Sequence, residues 1–308
     1  MEPPQPRISA SSYSNTAPLI WSFLYGSNHG KVELVLDNAP ARSAELLDRG
    51  RVDAALTPVI AYQMIDGVRL VPDVCIGTRR SVRSVCLVTR GTELEDVRSV
   101  ALDTSSRTSV VLTKILFREF LGFEPEWRAA RPDVGEMLAG SDCALLIGDP
   151  ALRIAECGLR NAESFGAEGA LEPTDSEGTE RTAESYSALR TPHSALMTYD
   201  LAELWHRHTG LGFVFAMWMS RSMELPIDLA AARDEGLVHI DEIAANYVGD
   251  INLTFDELKQ YLTGNISYSV DEKMQEGLEL YFELAFKNGL IERNRPLEYT
   301  LPYQTSPD

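Results

Sequence analysis

The sequence predicts an α/β protein built as two similar lobes, and three observations carry that expectation. Short apolar runs alternate with helical patterns from the amino terminus onward, a β-α-β-α rhythm that implies parallel sheets with crossover helices. The rhythm breaks at a charged link, Gly91 to Asp96, and then starts again. The length of 308 residues is long for one hydrophobic core and suits two domains of ordinary size.

Each element has its own reason. Ile8 to Ala10 reads as a brief strand, and Ala17 to Tyr25 as a helix with Pro18 in its first turn, where a missing N–H does no harm. Val32 to Leu36 alternates and is β-branched, so it reads as a strand. Ala41 to Asp48 reads as a helix closed by Gly50, followed by a strand from Val52 to Leu56 with Asp53 on its solvent face. Pro58 is expected to start a short helix, and Ser84 to Val88 to form a strand. In the second series Val100 to Leu102 is a strand, and Thr108 to Phe120 is a helix closed by Gly122. Trp127 to Ala130 is a strand, Asp133 to Ala139 a helix, and Cys143 to Ile147 a buried strand.

From about Gly158 to Pro192 the chain turns to Glu, Ser, Thr, Gly and Ala with little apolar periodicity, and reads as an irregular acidic insertion. Order resumes at Asp200-Leu201-Ala202-Glu203, a capping pattern that opens a helix to His208. Gly212 to Met219 is a strongly apolar strand. The remainder is helical: Asp228 to Ala245, then two helices opened by capping boxes at Thr254-Phe255-Asp256-Glu257 and Ser269-Val270-Asp271-Glu272. The lobes are therefore expected at 1–88 with 212–308, and at 89–211, joined by two crossings. That plan is the two-lobed, periplasmic-binding-protein-like (type II) fold, with a ligand cleft between lobes and a helical C-terminal segment.

Composition narrows the function. A net charge of −18 argues against nucleic acid as a partner, because phosphate binding needs a basic face. It also repels anionic ligands at long range, so an acidic substrate needs local compensation from helix N-termini, backbone amides or an arginine. Cys75, Cys86, Cys143 and Cys157 show no CxxC spacing, and free thiols in a reducing compartment are expected. The amino terminus has no apolar signal-peptide core, and no run approaches the roughly 20 apolar residues of a membrane span. A cytoplasmic protein without membrane contact is expected; the sequence leaves the oligomeric state open.

No HExxH, Walker A, GxGxxG after a strand or GxSxG elbow occurs. His206 and His208 are two apart on a predicted helix and point in different directions, and His29, His193 and His239 have no ligand-like partners. Neither a metal nor a cofactor is expected. What remains is hydroxyls and amides. Thr104 to Ser109 follows a strand and opens a helix; it is either a carboxylate cradle with Arg107 or an ordinary N-cap with spare serines. Asn15 either caps the helix after it or turns its amide into the cleft, and capping preferences alone favour the first. Ser84 heads an apolar strand, and Asp149 before Pro150 reads as a helix N-cap. Tyr261 and Tyr268 either border the cleft or pack between helices, and packing is the favoured reading.

In order and spacing these segments resemble one family, the chorismate dehydratases of the futalosine route to menaquinone. The motifs are Ser12-Tyr13-Ser14-Asn15-Thr16-Ala17-Pro18-Leu19, Gly50 to Pro58, Val82-Arg83-Ser84-Val85, Ser106-Arg107-Thr108-Ser109, Ile147-Gly148-Asp149, Thr209 to Trp218 and Asn265-Ile266-Ser267-Tyr268. The similarity spans about residues 7 to 157 and 198 to 290; the acidic insertion is longer than usual, and Gly212 stands where a proline is common. The related family that forms dihydroxynaphthoate shares the fold but opens with a Ser-Pro-Cys-Pro-Asn-Asp-type motif.

The resemblance implies a lyase that dehydrates chorismate to 3-[(1-carboxyvinyl)oxy]benzoate without a cofactor, the substrate's enolpyruvyl carboxylate serving as base. It implies Asn15 and Ser84 as catalytic residues, and Ser12, Ser106, Arg107, Thr108, Ser109 and Asp149 as substrate-binding residues. A solute-binding protein for a small carboxylate, and the dihydroxynaphthoate-forming enzyme, stand as alternatives.

Overall fold

The computed structural model describes residues 5–154, 196–251 and 253–303. The acidic stretch expected between Gly158 and Pro192, with Cys157 and His193, lies outside them. Two five-stranded sheets organise the rest. The first contains β1 (Arg7–Ser11), β2 (Glu33–Asp37), β3 (Ala54–Pro58) and β4 (Arg69–Thr78), interleaved with helices α1 (Ala17–Leu24), α2 (Pro40–Asp48) and α3 (Ala61–Met64). The second contains β5 (Val85–Thr89), β6 (Ser99–Asp103), β7 (Glu126–Ala130), β8 (Cys143–Ile147) and β9 (Met197–Asp200), with α4 (Arg107–Ile115), α5 (Val134–Gly140), α6 (148–154) and α7 (Leu201–Thr209). The chain then returns through β10 (Phe213–Ser220) to the first sheet.

The strand orders are β2-β1-β3-β10-β4 and β7-β6-β8-β5-β9. In each sheet four strands run in one direction and a single strand, β10 or β5, runs antiparallel between two of them, so both lobes have one plan. The strand that carries each lobe's fourth position, β10 or β5, follows a crossing between lobes, at 210–212 and 79–84. The expected division at residue 88 therefore falls inside β5, whose partners β8 and β9 both belong to the second sheet.

Other expectations shift in detail. β4 has no counterpart in the sequence reading: Pro72 and then Asp73, at a φ of +56°, break the alternation, and the pairing with β10 slips register along its length. Pro58 ends β3 rather than starting a helix, because Ala216 of β10 pairs with it. The helix expected from Asp228 to Ala245 is two, α8 (Leu229–Val238) and α9 (Ile240–Ile251), parted at His239. Thr254 forms the expected capping box at α10 (Phe255–Gln260), whereas α11 (Glu272–Lys287) is capped by Asp271. A single apolar cluster joins the lobes. Trp205 of α7 packs edge-on against Phe213 at 5.5 Å, and Phe213 against Tyr281 of α11 at 5.1 Å. Among the described residues no helix is long and apolar enough to cross a membrane, and Cys75, Cys86 and Cys143 are buried free thiols.

Candidate active site

The strand ends of both sheets face one cavity. It comprises about 520 Å³ of space, part of it continuous with solvent, and its walls come from both lobes. Leu56, Ile76 and Phe215 of the first lobe and Val85 and Ile147 of the second give it an apolar body. Its polar groups are Ser11, Tyr13 and Asn15 on one side and Ser106, Thr108 and Ser109 on the other. Among the described residues, none lining it carries a charged side chain.

The first wall is built at the end of β1. Its chain turns through a single 3-10 turn, Ser14–Thr16, into α1. Asn15 does not cap that helix: Thr16 holds the capping position, and its own hydroxyl bonds Ser11 Oγ at 2.9 Å. The Asn15 amide, almost fully buried, instead borders the cavity and donates from Nδ2 to the phenol oxygen of Tyr261 at 3.0 Å. Tyr261 starts a π-helical turn, Tyr261–Asn265, that follows α10. Burial raises its pKa, against the favourable dipoles of Ser84 and Asn15 beside it. Ser84 lies one layer behind the lining. Its carbonyl accepts from Gly148 N at 2.7 Å, and its sealed hydroxyl lies beside the Tyr261 phenol without a well-formed hydrogen bond.

The second wall is the N-terminus of α4. Ser106 caps it, accepting from Ser109 N at 3.3 Å, and borders the cavity as well. Asp103, at the end of β6, sits behind this turn with Oδ1 taking Ser105 N at 2.8 Å and Ser105 Oγ at 2.6 Å. Its Oδ2 is buried without a partner, and burial pushes its pKa up.

Several bonds tie the lobes across the cleft. Ser14 donates from Oγ to Asp149 at 2.6 Å, Ile60 N donates to Thr108 Oγ1 at 3.3 Å, and Tyr281 donates to Thr108 O at 3.0 Å. The Tyr13 ring lies over Gly148, where a Cβ would stand 2.9 Å from Tyr13 Cζ; with a φ of +64° as well, that position admits only glycine without strain. The Tyr13 phenol is pushed up to about 12, first by burial and then by the negative charges of Asp103 and Asp149, against a hydrogen bond with Ser105.

Besides Ser84, three residues expected at the substrate lie outside the cavity lining. The Ser12 hydroxyl donates to Asn38 Oδ1 at 2.8 Å, because strand alternation turns Ser11 rather than Ser12 to the cavity. Arg107 is partly exposed and faces Glu45 of the other lobe at 3.7 Å. Asp149 is not the cap of its helix; its carboxylate is taken up by Ser14, and burial raises its pKa. Sequence reasoning missed Asp103, whose only signal was an acid at a strand end; it named Tyr261 and favoured packing, and Tyr261 is indeed buried outside the lining, reaching the site through Asn15. Among the described residues no group of three or more His, Cys, Asp or Glu is placed to hold a metal ion. His208 stacks on Phe120 at 4.4 Å and His239 on Trp21 at 3.6 Å.

Comparison with known proteins adds two kinds of finding. A model of the menaquinone biosynthesis family matches residues 6–168 and 187–287. A chorismate dehydratase of Thermus thermophilus is 31% identical over 281 residues, covering 88% of this chain and 92% of its own. Among solved structures, a Candida albicans protein described as having the generic periplasmic binding protein fold is 10% identical with a TM-score of 0.62, over 99% of each chain. The periplasmic aliphatic sulphonate binding protein of Escherichia coli is 12% identical with a TM-score of 0.55, again over 99% of each. At such identities the likeness concerns the fold alone, which is the expected two-lobed one.

Proposed function

This chain belongs to the menaquinone biosynthesis family, and on that premise we propose that it is a lyase removing water from chorismate to give 3-[(1-carboxyvinyl)oxy]benzoate. One observation supports the reading beyond kinship: a cavity between lobes whose polar groups are hydroxyls, an amide and a helix N-terminus, with no charged side chain among the described residues on its surface. The reaction suits so sparse a site. The ring proton to be lost is activated through the conjugated ring carboxylate, and departure of the hydroxyl makes the ring aromatic. The protein's task is to hold two carboxylates, to stabilise charge moving onto the ring acid, and to orient the leaving hydroxyl.

In this reading the capped N-terminus of α4, with Thr108 and Ser109, receives a carboxylate, as helix N-termini do. Asn15, and Ser84 from the layer behind the lining, serve the reacting ring. The substrate's enolpyruvyl carboxylate takes the ring proton and passes it to the departing hydroxide, which leaves as water, so the carboxylate is regenerated and atoms and charge balance without a cofactor. Ser12, Arg107 and Asp149 make no substrate contact; the last two link the lobes. Substrate entry requires the Ser14–Asp149 and Ile60–Thr108 bonds to part, a hinge motion native to two-lobed proteins.

The test is incubation of the purified protein with chorismate and mass detection of a product lighter by one water. A solute-binding protein, the second reading raised by the fold, would bind chorismate and return it unchanged.

A further inference from the structure

We propose that Tyr261 is a positioning residue that sets which group of the substrate Asn15 can receive; this rests on the dehydratase reading above. The phenol oxygen accepts Asn15 Nδ2 at 3.0 Å, and Tyr261 itself is fully buried and outside the cavity lining. The amide nitrogen is therefore drawn away from the cavity and the amide oxygen turned toward it. Among the described residues nothing donates to that oxygen, and it is not sealed from open space as the Ser84 hydroxyl is.

An amide oxygen facing a ligand accepts hydrogen bonds and repels carboxylate oxygens. Held in this sense, Asn15 takes a donor, and the donor on the substrate is the ring hydroxyl that departs. The two carboxylates are left to the donor-rich wall across the cavity, where α4 begins. Tyr261 also lies beside the Ser84 hydroxyl, so one buried phenol is common to both residues assigned to the reacting ring. Tyr261 follows α10 directly, at the start of a π-helical turn.

Tyr268 is the natural control. It too is a buried tyrosine near this phenol, but its hydroxyl has no hydrogen-bond partner, so its loss releases no amide.

The experiment compares Tyr261→Phe, Tyr268→Phe and wild type in turnover of chorismate and in affinity for the product, 3-[(1-carboxyvinyl)oxy]benzoate, which lacks the hydroxyl. Tyr261→Phe frees the amide to rotate. Its kcat/KM should fall by roughly tenfold, the size of one hydrogen bond. Its product Kd should stay within about twofold of wild type, because no group on the product uses the amide oxygen as an acceptor. Tyr268→Phe should match wild type in both. Equal loss of turnover and product affinity in Tyr261→Phe would show general damage to the pocket and overturn the positioning role, as would unchanged turnover. Wild-type protein that leaves chorismate intact would instead overturn the proposed reaction, and this inference with it.

Discussion

The two lobes share a strand plan but give the cavity opposite chemistry, and the difference lies in two turns at matching places. After β1 the chain enters α1 through Ser14–Thr16, with Pro18 in the first turn and no side chain capping the helix. After β6 it enters α4 behind a capping serine, with Thr108 and Ser109 following on the cavity side. The first turn withholds a backbone donor and presents an amide whose nitrogen is already engaged. The second presents a nine-residue helix by its positive end. A fold with two similar lobes is thereby made polar across its cleft.

The sharpest challenge to that contrast is removal of the acceptor wall. Asn15→Ala should lower turnover of chorismate by about 10²–10³-fold while leaving the circular-dichroism melt unchanged, the loss typical of one oriented polar group at a reacting centre. Ser84→Ala should also lose turnover, yet keep stability within about 1 kcal/mol, because it deletes a buried hydroxyl that makes no well-formed hydrogen bond. Full activity in both variants would dissolve the assignment.

The crossings between lobes offer a second contrast. Asp200, at the end of β9, accepts from Val82 N at 2.8 Å and Arg83 N at 2.6 Å, clamping the first crossing, and from Ala202 N and Glu203 N at the start of α7. Burial pushes its carboxyl up to about 6 despite those four donors. The folded state therefore holds a proton that the unfolded chain has released between about pH 4 and pH 6. This group's contribution to stability is fully present below about pH 4 and is lost as pH rises through about 6. Urea midpoints of wild type against Asp200→Asn should diverge toward low pH, wild type gaining on the order of 2 kcal/mol; parallel curves would contradict the assignment.

Gly148→Ala tests lobe closure. An alanine at a φ of +64° under the Tyr13 ring should cost about 1–2 kcal/mol from backbone alone and raise KM more than it lowers kcat. Calorimetry and steady-state kinetics read both. The smallest effect belongs to Arg107→Ala, whose ion pair with Glu45 is solvent-screened; KM should stay within about threefold. A hundredfold rise would return Arg107 to the substrate.

Much of the fold was legible because it rests on local pattern. The apolar runs of β1, β3, β6, β8 and β10 and the glycine that closes the helical run at Gly122 declare themselves within a few residues. β4 did not, since Pro72 and the left-handed Asp73 break its period and only pairing with β10 sustains it. The site divided in the same way. Motif order drew attention to Asn15, Ser84 and the α4 turn, but which of two adjacent serines faces inward depends on strand register, and Arg107 and Asp149 found partners in the opposite lobe.

By itself, then, the sequence determined the layered α/β class, the two-lobed plan and the turns that carry small polar groups, because periodicity and capping act over single turns of chain. The tertiary structure alone decided which of those groups meet. Asn15 and Tyr261 are 246 residues apart and Ser14 and Asp149 are 135 apart, and such pairs form only when β5 and β10 carry the chain across between lobes. Hydrogen-bond geometry is settled at that scale, where side-chain direction depends on packing that no local pattern encodes.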